Sequence, residues 1–185
     1  YLAAALESGG YTARIIDANA LNLSYSELGK ILEKENPDVV GVTAITPMIN
    51  EAIATIRLAK KSCPNAVTIL GGPHATFCPE ETLENCPELD LICLGEGEET
   101  LLDIAHSVEK GGNLRDIKGI MYRKSNHFSK TSLRPLINDL DSLPFPARHL
   151  LPMNCYTILG KNYPIVNIVS SRGCPFSCSF CSSSR

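Results

Sequence analysis

Asp38-Val39-Val40-Gly41-Val42 is a short apolar run, rich in β-branched residues and followed by Thr43-Ala44-Ile45-Thr46. Too brief for a helix and lacking polar alternation, it reads as a strand buried on both faces, as in a parallel sheet covered by helices. Upstream, Tyr1-Leu2-Ala3-Ala4-Ala5-Leu6-Glu7-Ser8 is helix-forming and stops at Gly9-Gly10. Thr12 to Asp17 reads as a strand around Ile15 and Ile16. Ser24 and Glu27 form a capping box that opens a helix with Leu28, Ile31 and Leu32 on one face, up to Asn36-Pro37. Downstream, Ile49, Ala52, Ile53, Ile56, Ala59 and Cys63 recur at helical spacing. Ala66 to Leu70 is the next strand, a short helix is expected after Pro79, and Asp90 to Leu94 is a further strand. A helix from Glu98 to Lys110 closes at Gly111-Gly112. This alternation predicts a doubly wound, parallel α/β domain over residues 1–112.

Ligands in such sheets bind outside the carboxyl ends of the strands. Three strands here end in loops of small residues: Thr43, Ala44 and Thr46; Gly71, Gly72, Pro73 and His74; and Gly95, Glu96 and Gly97. Glycine lets a flat ligand approach the backbone closely, so these residues are the candidate cofactor contacts. Any one of the loops alone reads more readily as a plain turn; three on the same edge turn the reading toward a ligand site. Gly95 and Gly97 lack the third glycine of a dinucleotide fingerprint, and Glu96, Glu98 and Glu99 would repel a pyrophosphate while suiting a helix N-terminus. His74 is the candidate metal ligand among the histidines, with a hydrogen-bonded loop residue as the plainer alternative. His106 and His127 read as structural or solvated. Cys63, Cys78, Cys86, Cys93 and Cys155 share no ligand spacing and read as small buried or half-buried thiols.

The pattern changes at residues 113–163. Ile117 to Arg123 and His127 to Thr131 read as a β-hairpin around Ser125-Asn126, and Pro135 to Pro152 is a proline-punctuated connector. Residues 164–185 open a further unit: after Pro164, Ile165-Val166-Asn167-Ile168-Val169 reads as a buried strand leading into Arg172-Gly173-Cys174-Pro175-Phe176-Ser177-Cys178-Ser179-Phe180-Cys181.

Composition limits the function classes. The chain has 185 residues, is 44% hydrophobic and carries a net charge of −3. Its pI near 5.8 leaves no electrostatic footprint for nucleic acid. Nothing approaches the length of apolar sequence that spans a membrane. Eight cysteines without a signal peptide point to a reducing, cytoplasmic setting of thiols and metal. Tyr1 is not an initiator Met and Arg185 closely follows Cys181, so both ends are expected to be cut from a longer protein. The isolated chain is accordingly expected to be poorly stable and catalytically inactive.

Cys174, Cys178 and Cys181 follow the spacing C-x-x-x-C-x-x-C. Three thiolates on one loop can hold three irons of a four-iron four-sulfur (4Fe–4S) cube and leave the fourth without a protein ligand. A structural zinc site would need a fourth ligand, for which Cys155 and His149 stand at no familiar spacing. A redox dithiol would leave Cys174 unexplained.

This loop resembles that of the radical S-adenosylmethionine (SAM) enzymes, in which the open iron chelates SAM and an electron from the cluster cleaves it to a 5′-deoxyadenosyl radical. With the α/β domain ahead of it, the chain resembles the cobalamin-binding radical SAM proteins, which include methyltransferases and the anaerobic magnesium-protoporphyrin ester cyclase. The carriers are the opening Tyr1 to Leu6, Asp38 to Thr43, Gly71-Gly72-Pro73-His74, Gly95-Glu96-Gly97-Glu98, Leu143-Pro144-Phe145-Pro146-Ala147-Arg148 and the cysteine loop. The resemblance implies a flavodoxin-like (Rossmann-like) sheet lacking its first strand, with cobalamin over the strand ends, then the first strand and cluster loop of a radical SAM barrel. It implies a 4Fe–4S cluster on Cys174, Cys178 and Cys181, SAM as cofactor with Phe180 beside it or the cluster, a small-molecule substrate, and an electron donor such as flavodoxin or ferredoxin. The implied reaction is methyl transfer to an unactivated carbon, with a cyclase-type oxidation as alternative. A zinc-binding, non-enzymatic ligand module is the reading from another class. The D-x-H-x-x-G motif that gives other cobalamin domains an axial histidine is absent.

Overall fold

The computed structural model describes residues 1–125, 127–156, 167–176, 178, 179 and 181. Six α-helices and five strands are formed among them: α1 (Leu2–Ser8), α2 (Tyr25–Glu35), β1 (Val39–Thr43), α3 (Ile49–Ser62), β2 (Val67–Gly71), α4 (Pro73–Phe77), α5 (Pro79–Asn85), β3 (Leu91–Cys93), α6 (Glu98–Lys110), β4 (Ile120–Lys124) and β5 (His127–Lys130). The sheet order is β1-β2-β3-β4-β5. β1, β2 and β3 are parallel, with Val39 opposite Val67 and Ile69 opposite Leu91.

Alternation along the strands divides the core. Leu70, Ile92 and Met121 face α3, α4 and α5 through Ile56, Ala75 and Leu83. Ile69, Leu91, Cys93, Ile120 and Tyr122 face the opposite way, onto Ile104 of α6 and Ile117. Helices therefore cover both faces, as the doubly wound reading requires. The helix limits follow from local chemistry. Ser24 and Glu27 complete the capping box of α2, and Asn36 ends that helix in a left-handed conformation.

Several sequence expectations on individual strands are corrected. Thr12 to Asp17 forms no strand: no backbone hydrogen bond joins residues 12–17 to β1, which among the described residues pairs with β2 alone. Ile16 instead packs with Leu28 and Leu32, and Ile15 with Ala3 and Ala4. β1 itself is an edge strand among the described residues: Gly41 and Thr43 are exposed, and Val39, Val40 and Val42 are only half-buried, so the strand is not buried on both faces. The expected hairpin is present and extends the sheet: β4 pairs antiparallel with β3, Ile92 opposite Met121, and Ile120, Met121 and Tyr122 join the core. Finally, Asn167, Ile168 and Val169 are not in a strand among the described residues, and Ile168 is 73% exposed. The start of that expected strand, Pro164 to Val166, lies outside the described residues.

The connector from Pro135 to Pro152 carries single 3-10 turns at Leu140–Ser142 and Arg148–Leu150, and Ala147 is buried against α1. Arg134 fixes its start. The guanidinium reaches Glu99 at 2.8 Å, Asp103 and the Thr100 hydroxyl at 3.1 Å, tying the chain after β5 to the first turns of α6.

Candidate functional site

The three small-residue loops meet at the carboxyl edge of β1, β2 and β3 and are joined by hydrogen bonds. The Ala44 N–H donates to the Gly71 carbonyl at 3.1 Å, and the His74 N–H to the Ala44 carbonyl at 3.2 Å. Thr76 Oγ1 donates to the Gly72 carbonyl at 3.0 Å and accepts from the Gly95 N–H at 3.2 Å, linking the second loop to the third. Gly72 is required at its position. Its φ is +93°, and a Cβ there would lie 2.7 Å from Thr43 Oγ1 and 2.8 Å from the Ala44 carbonyl oxygen. Gly95, at φ +72°, has open space where a Cβ would stand. Close backbone approach is thus possible at Gly95, while Gly72 serves packing between loops.

His74 sits in α4, where a loop was expected; Pro73 at the first helical position is the start signal that the sequence offered. The imidazole is 7% exposed and its Nδ1 lies 3.2 Å from Thr46 Oγ1. That is the hydrogen-bonded alternative to an axial ligand. Exposed Ile45 and Met48 follow β1 and exposed Phe77 ends α4, apolar side chains after the same strand ends that sequence reasoning did not single out. Apolar side chains and open glycine backbone fit a large flat cofactor such as a corrin.

Glu96 and Glu98 turn inward. Glu96 Oε2 accepts from the Ile137 N–H at 2.6 Å, and Oε1 from Arg172 Nη1 at 2.9 Å. Glu98, in the first turn of α6, accepts from Arg172 Nη2 at 2.6 Å. The hydrogen bond to Glu98 is the largest influence on the guanidinium, whose pKa is raised; burial acts against it and Glu96 with it. These carboxylates therefore both complement a helix N-terminus and hold the residue that begins Arg172-Gly173-Cys174. Arg172 was legible only as part of a motif, since its partners lie far back in the chain.

Cys174 and Cys178 are exposed and Cys181 is half-buried, with its N–H bonded to the Cys178 carbonyl at 3.1 Å. Among the described residues no three His, Cys, Asp or Glu side chains are gathered around one point suited to a metal ion. The donor set still fits an iron–sulfur cluster: three thiols on one exposed loop, with Gly173 at φ +78° turning the backbone into it. The remaining thiols differ. Cys63, Cys86 and Cys93 are buried, and burial raises their pKa, which keeps them protonated. Phe180 lies outside the described residues. His106 and His127 are exposed, and the His106 ring meets the Tyr11 hydroxyl at 3.2 Å.

The chain is similar to known proteins. The chain is 40% identical over 174 residues to an uncharacterized methyltransferase of Pyrococcus horikoshii, covering 94% of this chain and 38% of that protein. It is 38% identical over 188 residues to the anaerobic magnesium-protoporphyrin IX monomethyl ester cyclase of Cereibacter sphaeroides, covering 98% of this chain and 30% of the relative. The chain thus spans well under half the length of these curated relatives. Among solved structures, the radical SAM methyltransferase TsrM of Kitasatospora setae, with cobalamin and a [4Fe-4S] cluster bound, superposes with a TM-score of 0.65 at 20% identity over 71% of this chain and 26% of that one; it shares the fold. The B12 binding domain model matches residues 1–105, the span that builds the three-loop edge, and the chain belongs to that family.

Proposed function

We propose that this chain is the cobalamin-binding part, together with the cluster loop, of a cobalamin-dependent radical SAM enzyme that transfers a methyl group to an unactivated carbon of a small molecule. The observation that carries the reading is the attachment of the cysteine loop, through Arg172, to the loop after β3 at the sheet's ligand edge. One motif for a cluster and one edge for a corrin are thereby held side by side.

The residues divide the work. Thr43, Ala44, Thr46, Gly71, Gly72, Pro73, His74, Gly95 and Gly97 form the edge that would receive cobalamin, with Ile45, Met48 and Phe77 as apolar side chains after the same strand ends. Cys174, Cys178 and Cys181 would supply three thiolates to the cluster, leaving one iron for SAM. Phe180 would stand beside them. When bound, these groups supply one-electron cleavage of SAM and methyl transfer, while the protein supplies placement and exclusion of water. A cytoplasmic setting suits the unlinked thiols at Cys63, Cys78, Cys86, Cys93, Cys155, Cys174 and Cys178, and a flavodoxin or ferredoxin would deliver the electron. Among the described residues no helix is long and apolar enough to cross a membrane. The likeness to the Cereibacter cyclase supports a second reading, in which the same cofactors serve an oxidative cyclisation.

Anaerobic reconstitution tests the proposal. The intact protein should become brown and take up about four irons per chain, and should retain added hydroxocobalamin through desalting. Replacing Cys174, Cys178 or Cys181 by Ala should abolish the cluster and leave cobalamin retention intact. A colourless protein holding one zinc would overturn the reading.

A further inference from the structure

We propose that Arg172 is a positioning residue: its fork on Glu96 and Glu98 fixes the cysteine loop against the end of β3, and so sets the placement of the cluster site relative to the corrin edge. The inference rests on the functional reading above and deepens it.

Arg172 spends both terminal nitrogens on separate carboxylates, 2.9 Å to Glu96 and 2.6 Å to Glu98. Arginine's planar fork can hold two acceptors in one fixed geometry, which a lysine ammonium on its flexible stem does poorly. An exposed ion pair would contribute little, but these side chains are only 25%, 17% and 6% exposed for Arg172, Glu96 and Glu98. The acceptors are themselves fixed. Glu98 belongs to α6, and Glu96 also binds the Ile137 N–H.

The donor side is braced as well. The Tyr1 ring centroid lies 5.6 Å from the Arg172 guanidinium carbon, and the Tyr1 hydroxyl donates to the Val169 carbonyl at 3.4 Å. Arg148 Nη2 donates to the Asn167 carbonyl at 2.9 Å. Only Gly173 separates Arg172 from Cys174, so the first thiol stands at most about 7 Å of chain beyond the anchor. On the acceptor side, Glu96 follows Gly95, whose N–H is bonded to Thr76 of the second loop. A continuous path of hydrogen bonds and short backbone therefore runs from the sheet edge to the first cluster cysteine.

The test uses the intact protein with Arg172→Gln and Arg172→Lys. In the metal-free state, hydrogen exchange is followed over residues 167–176 and 95–98. Arg172→Gln should speed exchange there by about tenfold or more, with the core of the sheet unchanged, and Arg172→Lys should restore part of the protection. After reconstitution with iron, sulfide and hydroxocobalamin and subsequent reduction, electron paramagnetic resonance reads the dipolar broadening between the two paramagnetic centres, which falls with the cube of their separation. Arg172→Gln should keep the wild-type iron and cobalamin content and change the broadening. Unchanged exchange, or unchanged broadening in a variant whose exchange has risen, overturns the proposal. If wild type takes up neither iron nor cobalamin, the functional reading fails, and the metal-free exchange still decides whether the fork holds the loop. Should Arg172→Gln not fold, Glu96→Gln removes one arm of the fork and must show the same direction of change; its silence overturns the proposal equally.

Discussion

At the residue scale, Gly72 is the most constrained position of the corrin edge. Its φ of +93° and the nearness of Thr43 and Ala44 leave no room for a side chain. Gly72→Ala should cost about 2–4 kcal/mol, the sum of a strained backbone and a clash, read as a lowered urea midpoint at unchanged slope. His74 carries a second prediction. Because its ring is buried against Thr46, His74→Gln should leave the visible spectrum of bound cobalamin unchanged, whereas an axial ligand would shift it. The paired glycines and the cysteine spacing were legible because each is a local pattern. The role of Arg172 was not, because its carboxylate partners stand 76 and 74 residues earlier and only the fold brings them together.

At the scale of elements, helix boundaries written in short-range chemistry are found where the sequence put them. α2 begins at the Ser24–Glu27 box and α6 spans Glu98–Lys110, closed by Gly111 in the left-handed region. Ser24→Ala should lower the melting temperature by about 3 °C. The same box has a pH signature. Hydrogen bonds from the Ser24 side chain first, and from its backbone second, hold the Glu27 carboxyl below its ordinary 4.5. A depressed folded-state pKa means that this support is complete above about pH 4.5 and is lost as pH falls through the lower folded value. Acid titration of the helical circular dichroism of wild type should show that loss, and Ser24→Ala should remove it. Strands were less legible. Thr12 to Asp17 has the composition of a strand, but strand status depends on a neighbour, and β1 offers it no backbone hydrogen bonds.

At the scale of the whole molecule, the doubly wound architecture was readable from strand–helix alternation, while the antiparallel continuation through β4 and β5 was not. A hairpin's own residues do not say which edge it will join. Fully buried Leu70, Ile92 and Ile120 lie on three adjacent strands and both faces of the sheet. Their amides should therefore exchange slowest, and those of the connector at 135–152 among the fastest, in a native-state exchange experiment.

The strand order β1-β2-β3-β4-β5 also bears on how the protein is made. Among the described strands, β2 to β5 each dock beside the one synthesised just before, and none is threaded between two already paired. The sheet can grow from one side at the pace of the ribosome, with each new strand covering the edge left open by its predecessor. Pairings between sequence neighbours keep loop closures short, which favours rapid formation. Since the cysteine loop follows Glu96 and Glu98 in the chain, its anchoring carboxylates are made before its thiols emerge, so metal loading can follow a folded sheet.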